Sequence, residues 1–302
     1  MQVMPYIINT LLRWRNTFAI LPEYQSANVA KQISVAEVEA YYAQREKILN
    51  DFLITQLPDE ADREIFIKQN EKVITPFYYD WFKGQWLFLD IFSDCALFTA
   101  MALCIAIAPV FAGEYQQKTD SVLLCAKYGR KKLAHAKINA ALMLTAGTYI
   151  LCSGIYIAGQ LAFVGTRALN CPVQLIKPLA TVSMTIWQAE AYAVLLGLLG
   201  CLAIVALTVA LSARLTAAFS VIIISLLVLI LPFGFSGSLP DMLQSIVALM
   251  PFASNFSELM RTNLYHIFGM RIWSPYVLVV VPIIITAALL PIAVRFYTRH
   301  EA

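Results

Sequence analysis

Apolar and polar positions divide this chain into two unlike parts. Beyond about residue 85 the sequence is built from long apolar runs separated by short polar connections. The runs cover about 86–112, 138–164, 191–213, 215–235 and 272–294, and the first carries no charge from Cys95 to Ala112. A helix that crosses a bilayer needs about 20 predominantly apolar residues, and each run meets that length. Barrel strands would show short segments of alternating polarity instead, and five such runs cannot all be buried inside one small globule. The pattern predicts an all-α, polytopic membrane protein with five transmembrane helices in residues 86–302. Pro282 and Pro291 interrupt the last run and predict a kink there.

Residues 1–85 read differently, as a polar helical segment. Ser34 and Glu37 have the spacing of a capping box, which predicts a helix to near Gln56. Pro58-Asp59-Glu60 marks the start of a second helix, to about Val73, ended by Pro76. Phe77, Tyr78, Tyr79, Trp81, Phe82 and Trp86 follow, an aromatic group suited to the headgroup layer.

Composition agrees with the pattern. The chain is 60% hydrophobic and 14% charged, with a mean hydropathy of +0.68, whereas soluble domains carry roughly 25% charge. A soluble enzyme, a disordered chain and a disulfide scaffold are excluded on those figures, and a net charge of +3 gives no basis for nucleic-acid binding. Lys and Arg collect in cytoplasmic loops. The connection between the first two runs holds Lys118, Lys127, Arg130, Lys131, Lys132 and Lys137. Placing it in the cytoplasm puts Arg214, Arg295 and Arg299 there too, nine basic residues against four outside (Arg167, Lys177, Arg261 and Arg271). Residues 1–85 are then extracytoplasmic. Met1 to Leu12 is uncharged but is followed by Arg13 and Arg15 rather than by a small-residue cleavage site. Either a spanning helix stood upstream of Met1 or the segment stays inside; the first is the expectation.

The 113–137 connection carries the most information. The first helix is expected to end at Gly113-Glu114 as it leaves the lipid. Thr119 has the character of an N-cap, and Asp120 suits the positive end of a helix dipole. Val122, Leu123 and Leu124 give a short helix an apolar side, and Gly129 is a plausible stop. Such a helix lies across the cytoplasmic surface, either offering its apolar side to a partner or resting on lipid with its basic flank on anionic headgroups.

The order Phe111, Glu114-x3-Lys118-Thr119-x3-Leu123-Leu124-x4-Gly129-Arg130-x6-Lys137 resembles the segment after the second helix of ABC-2 type permeases, the membrane subunits of a class of ABC exporters. The resemblance runs from about residue 30 to the end. It implies that the short helix is a coupling helix docked on a separate ATPase subunit, with Glu114, Thr119, Asp120, Leu123, Leu124, Gly129 and Arg130 carrying the coupling. It implies ATP and Mg on that partner and no cofactor on this chain. It also implies pairing with a second permease subunit, identical or related, in the cytoplasmic membrane. The family has six spanning helices, so its first is missing here, and residues 231–266 resemble its pre-final loop with short re-entrant helices. The alternatives are a channel or sensor outside this family, or a truncated, non-transporting relative.

No phosphate-cradling G-x4-G-K-[ST], no H-E-x-x-H, no C-x-x-C and no G-x-S-x-G occurs. The chain is therefore expected to be neither the ATPase nor another enzyme, and to hold no metal. His135, His266 and His300 are scattered. Cys95, Cys104, Cys152 and Cys201 read as small packing residues, as do the glycines of the second and third runs. Asp90 and Asp94 share one helix face, and with Glu190 they are expected in the outer headgroup layer.

Overall fold

Nearly every helix extends beyond its apolar run into charged sequence, because hydropathy marks where lipid begins while backbone hydrogen bonding continues past it. In the computed structural model the described residues are 35–78, 80–125, 128–235, 247–250, 252, 256–267 and 269–299. Ser34, Tyr79, His300, residues 1–12 and most of Pro240–Met250, to which expectations were attached, lie outside them.

Among the described residues of the polar segment two helices form, α1 (Val35–Gln56) and α2 (Glu60–Asn70). Asp59 caps α2 by accepting from Ala61 N at 3.1 Å; the helix stops three residues short of Val73. Then come α3 (Lys83–Ile107), α4 (Pro109–Gln116), α5 (Asp120–Cys125) and α6 (Lys131–Val164). After them come α7 (Ile186–Arg214), α8 (Ala218–Phe235), strands β1 (Leu264–Ile267) and β2 (Met270–Trp273), and α9 (Ser274–Thr298). Gly165, at φ 82°, ends α6 in the left-handed conformation that a side chain would strain.

Among the described residues, four helices are long and apolar enough to cross a membrane: Lys83–Gln116, in which α3 and α4 run on, α6, α7 and α9. Helix α8 has 18 residues, with Pro232 inside it. At 1.5 Å per residue it is about 27 Å long, just under the roughly 30 Å of a hydrocarbon core. Much of the pre-final loop, residues 236–246, 251 and 253–255, lies outside the described residues, and its described part holds two short elements not expected from the sequence. Residues 256–260 form a 3-10 turn and 264–273 an antiparallel hairpin, with Tyr265 opposite Ile272 and His266 opposite Arg271. β-Branched and aromatic residues favour the strand conformation, and Gly269, at φ 79°, supplies the turn. The chain is therefore mostly helical but not all-α.

The chain divides into two units. The first comprises 1–88, 160–190 and 256–273. In it Arg45, buried at 3% exposure, donates to the carbonyls of Pro178 (2.7 Å) and Ala180 (3.1 Å) and lies over the Phe77 ring. The Tyr42 hydroxyl accepts from Phe77 N at 2.9 Å. Phe82, Ala168, Cys171, Leu175 and Ile186 form its core. The aromatic group is thus split: Phe77 and Phe82 pack inward, while Tyr78, Trp81 and Trp86 are exposed. Burial pushes the Cys171 thiol up to about 11, so it stays protonated and inert. Burial lowers the Lys177 ammonium from its ordinary value, and the nearby Arg261 adds to this. The hairpin is clasped to α2 by Arg271, which reaches Asp59 and Asp62 at 2.6 Å each, and by His266, 3.2 Å from Asp62. The Asp59 carboxyl is held below its usual value first by its hydrogen bond from Arg271 and then by the Ala61 amide. Gln160 donates to Glu190, so Glu190 is a half-buried interhelical partner rather than a free interfacial charge.

The second unit comprises 89–159, 191–255 and 274–302. Helix α7 lies at its centre, with Ile204, Thr208 and Ser212 all buried. Thr208 Oγ1 is 3.1 Å from Ser225 Oγ of α8 and 3.4 Å from Cys104 Sγ of α3, a polar joint of the kind that holds helices together in lipid. The small residues play two roles. On α7, Gly197 faces the Tyr149 hydroxyl and Gly200 faces Phe252, so a Cβ there would touch packed side chains. On α6, Gly147, Gly154 and Gly159 face nothing within 4 Å, and Cys152 is exposed while Cys104 and Cys201 are buried. Close packing accounts for the first group only.

Candidate functional site: the connection between α4 and α6

The apolar run leading into this connection does not end at Gly113-Glu114. It is interrupted earlier, at Ala108-Pro109, and then continues as α4 to Gln116. Proline at the first position of α4 has no N–H to place, so the helical ladder is broken there and restarted. A side chain from α7 fills the break. Ser212 Oγ donates to Ala108 O at 2.7 Å and accepts from Phe111 N and Ala112 N at 3.0 Å each. Nearby, the Tyr115 hydroxyl donates to Ala213 O at 3.2 Å. Ala108 and Ala112 pack on Val221 of α8, with Leu211, Leu215, Ala218 and Ile222 around them.

A second anchor comes from α6. Lys137 Nζ donates to Val110 O at 2.7 Å, forms an ion pair with Glu114, and lies 5.1 Å from the centre of the Phe111 ring. Phe111 in turn packs against Tyr297 of α9, with ring centres 4.6 Å apart. Both charged side chains are largely enclosed, at 21% and 18% exposure. The ion pair therefore ties the two arms of the connection to each other.

Helix α4 ends in a Schellman arrangement: Lys118 N donates to Tyr115 O (3.2 Å) and Thr119 N to Glu114 O (3.1 Å). The position that glycine usually occupies is Lys118, at φ 53°. This turn aims the chain into α5. Leu123 N donates to Thr119 O at 3.1 Å, so Thr119 does stand at the N-cap, but its hydroxyl points back to Glu114 O (3.4 Å) instead of capping α5. On α5, Val122 is the presented apolar residue, at 74% exposure, and Leu123 is half-buried; the side chains of Asp120 and Leu124 lie outside the description. Gly129 is buried in the turn 128–130, and residues 126–127 between it and α5 lie outside the described residues. Arg130, Lys131 and Lys132 are exposed at the start of α6, with Lys132 Nζ 4.1 Å from the centre of the Tyr128 ring.

Other candidates disperse. His135 is bonded to Lys131 O at 2.7 Å, and among the described residues no three His, Cys, Asp or Glu side chains gather as metal ligands. Asp90 and Asp94 are exposed on one side of α3. The sequence indicated Glu114 and Lys137 separately but not their pairing, and it gave no role to Ser212, Tyr115 or Lys118. A serine one turn from the end of an apolar run was the available signal for Ser212. Only the tertiary structure brings it to Pro109.

No protein-family model, curated protein or solved structure matches this chain. The functional reading therefore rests on the connection itself.

Proposed function

We propose that this chain is the permease subunit of an ABC-2 type exporter in the cytoplasmic membrane, with five crossings and a separate ATPase docked on α5. One observation carries the reading. A short helix with an exposed apolar residue, Val122, is flanked by basic residues and joined through the Lys118 turn to α4, which Ser212, Lys137 and Phe111 anchor to α7, α6 and α9. A force applied to α5 would reach the bundle through those contacts. Closure of the ATPase pair on ATP and Mg would shift the balance between inward- and outward-open arrangements, because α5 is contacted differently in each. A second permease subunit, identical or related, would complete the pathway.

Chain parity supports the five crossings. Arg271 binds Asp59 and Asp62, so the hairpin keeps company with the polar N-terminal helices. On this reading the apolar stretch Lys83–Gln116 crosses the bilayer and leads into the 113–137 connection. Tyr115 bonds to Ala213, so α7 ends on the side of that connection. On this reading the segment holding α8 brings the chain back across before β1. The basic bias supports a cytoplasmic position for the connection and an outer one for residues 35–82. An epitope tag at residue 50 in whole cells is expected to be labelled from outside only; labelling that requires permeabilisation would refute this topology.

The docking role is tested by co-purification. The wild-type chain is expected to retain an ATPase subunit, and Val122→Asp with Leu123→Asp to lose it more than tenfold while the protein stays folded. Failure of wild type to retain any ATPase, or equal retention by the double variant, favours a channel or sensor whose α5 rests on lipid.

A further inference from the structure

The contacts around Ala108-Pro109 share a feature that docking alone does not require. A spanning helix ordinarily satisfies its own amides, and its ladder is stiff. Here the ladder is interrupted one residue after Ile107, at the position where proline supplies no N–H. Two amides and one carbonyl beside the break, Phe111 N, Ala112 N and Ala108 O, bond to the Ser212 hydroxyl. A fourth group, Val110 O, bonds to Lys137. Helix α4 is eight residues long, about 12 Å, and it ends in the tight Lys118 turn that leads directly into α5.

We infer that Ala108-Pro109 is the hinge of a lever made of α4 and α5, and that Ser212 and Lys137 are the positioning residues that hold its resting angle. The geometry stands by itself; the lever's purpose rests on the coupling reading above. Movement of α5 about this point breaks side-chain contacts from α6 and α7 without unwinding a helix. Val110 O, Phe111 N and Ala112 N would exchange one set of partners for another, a discrete two-position device. A straight 34-residue helix would instead transmit the same push as a tilt of the whole span.

Amide hydrogen exchange on the full chain in lipid nanodiscs tests the hinge. Ser212→Ala is expected to speed exchange across 110–117 about tenfold, as buried amides lose their partner, while 190–210 is unchanged. Ser212→Thr keeps the hydroxyl and should resemble wild type. Pro109→Ala restores a ladder amide and is expected to slow exchange across 108–114. Unchanged exchange at 110–117 in Ser212→Ala overturns the hinge, and so does an even rise through the whole second unit. If Ser212→Ala does not fold, Pro109→Ala decides: slower local exchange supports the hinge and unchanged exchange overturns it. The two readings fail separately. A local tenfold effect in a chain that retains no ATPase ends the coupling reading and leaves the hinge, whereas retained ATPase with no local effect ends the hinge alone.

Discussion

Lys137→Met is expected to lower unfolding stability by about 2 kcal/mol, read as the shift in an SDS or thermal unfolding midpoint in detergent. The variant keeps a long apolar stem but removes the ammonium that holds Glu114 and Val110 O. Breaking a buried ion pair from one side costs about 3–5 kcal/mol, because the abandoned charge stays desolvated. Glu114 and Lys137 keep 18% and 21% of their side-chain surface in contact with solvent, which brings the expected penalty below that range. Glu114 Oε2 is buried without a hydrogen-bond partner among the described residues, so the carboxylate has little else to compensate it. Adding Glu114→Gln to Lys137→Met should recover about half of the loss, since the stranded charge is then gone. If Lys137→Met alone is neutral, the ion pair does not fasten the connection to the bundle.

Gly197→Val should be more damaging, with an expected loss of about 3 kcal/mol, at the upper end for overpacking a close-packed site. Tyr149 crosses α7 at Gly197, and the hydroxyl that donates to Val194 O at 3.0 Å occupies the space a Cβ would need. Tyr149 is 1% exposed, so it has nowhere to move without leaving a void. Gly154→Val on α6 is the control. A Cβ there meets nothing within 4 Å and the position is exposed, so stability should stay within about 0.5 kcal/mol of wild type. Equal losses at both positions would contradict the division of the glycines into packed and open groups.

The outline of the fold was legible in the sequence. Apolar runs located the spanning helices, Asp59 marked the start of α2, and the six basic residues marked the connection that carries α5. Helix ends were less legible. The early residues of α6 are charged and those of α7 include Glu190, so hydropathy stopped short while the helices continued. The hairpin was missed because its strands are four residues each, too short for an alternation to stand out. The end of α4 carried no glycine signal, because the left-handed turn there falls on Lys118. There the bonds from Lys118 N and Thr119 N close the end of α4 whatever the side chain, and lysine tolerates the strain.

The sequence by itself determined where the long apolar helices lie, which connection between them is rich in Lys and Arg, and where a short helix interrupts the chain. Those properties depend on neighbours within a few residues, through backbone hydrogen bonds and the cost of exposing apolar surface. Only the tertiary structure decided that Ser212 enters the break at Pro109, about a hundred residues earlier, that Lys137 closes on Glu114, and that Arg271 grips α2. Each of these joins groups far apart in the chain. Their energy comes from satisfying buried donors and charges at a particular crossing of helices or loops, and no local pattern encodes where that crossing falls.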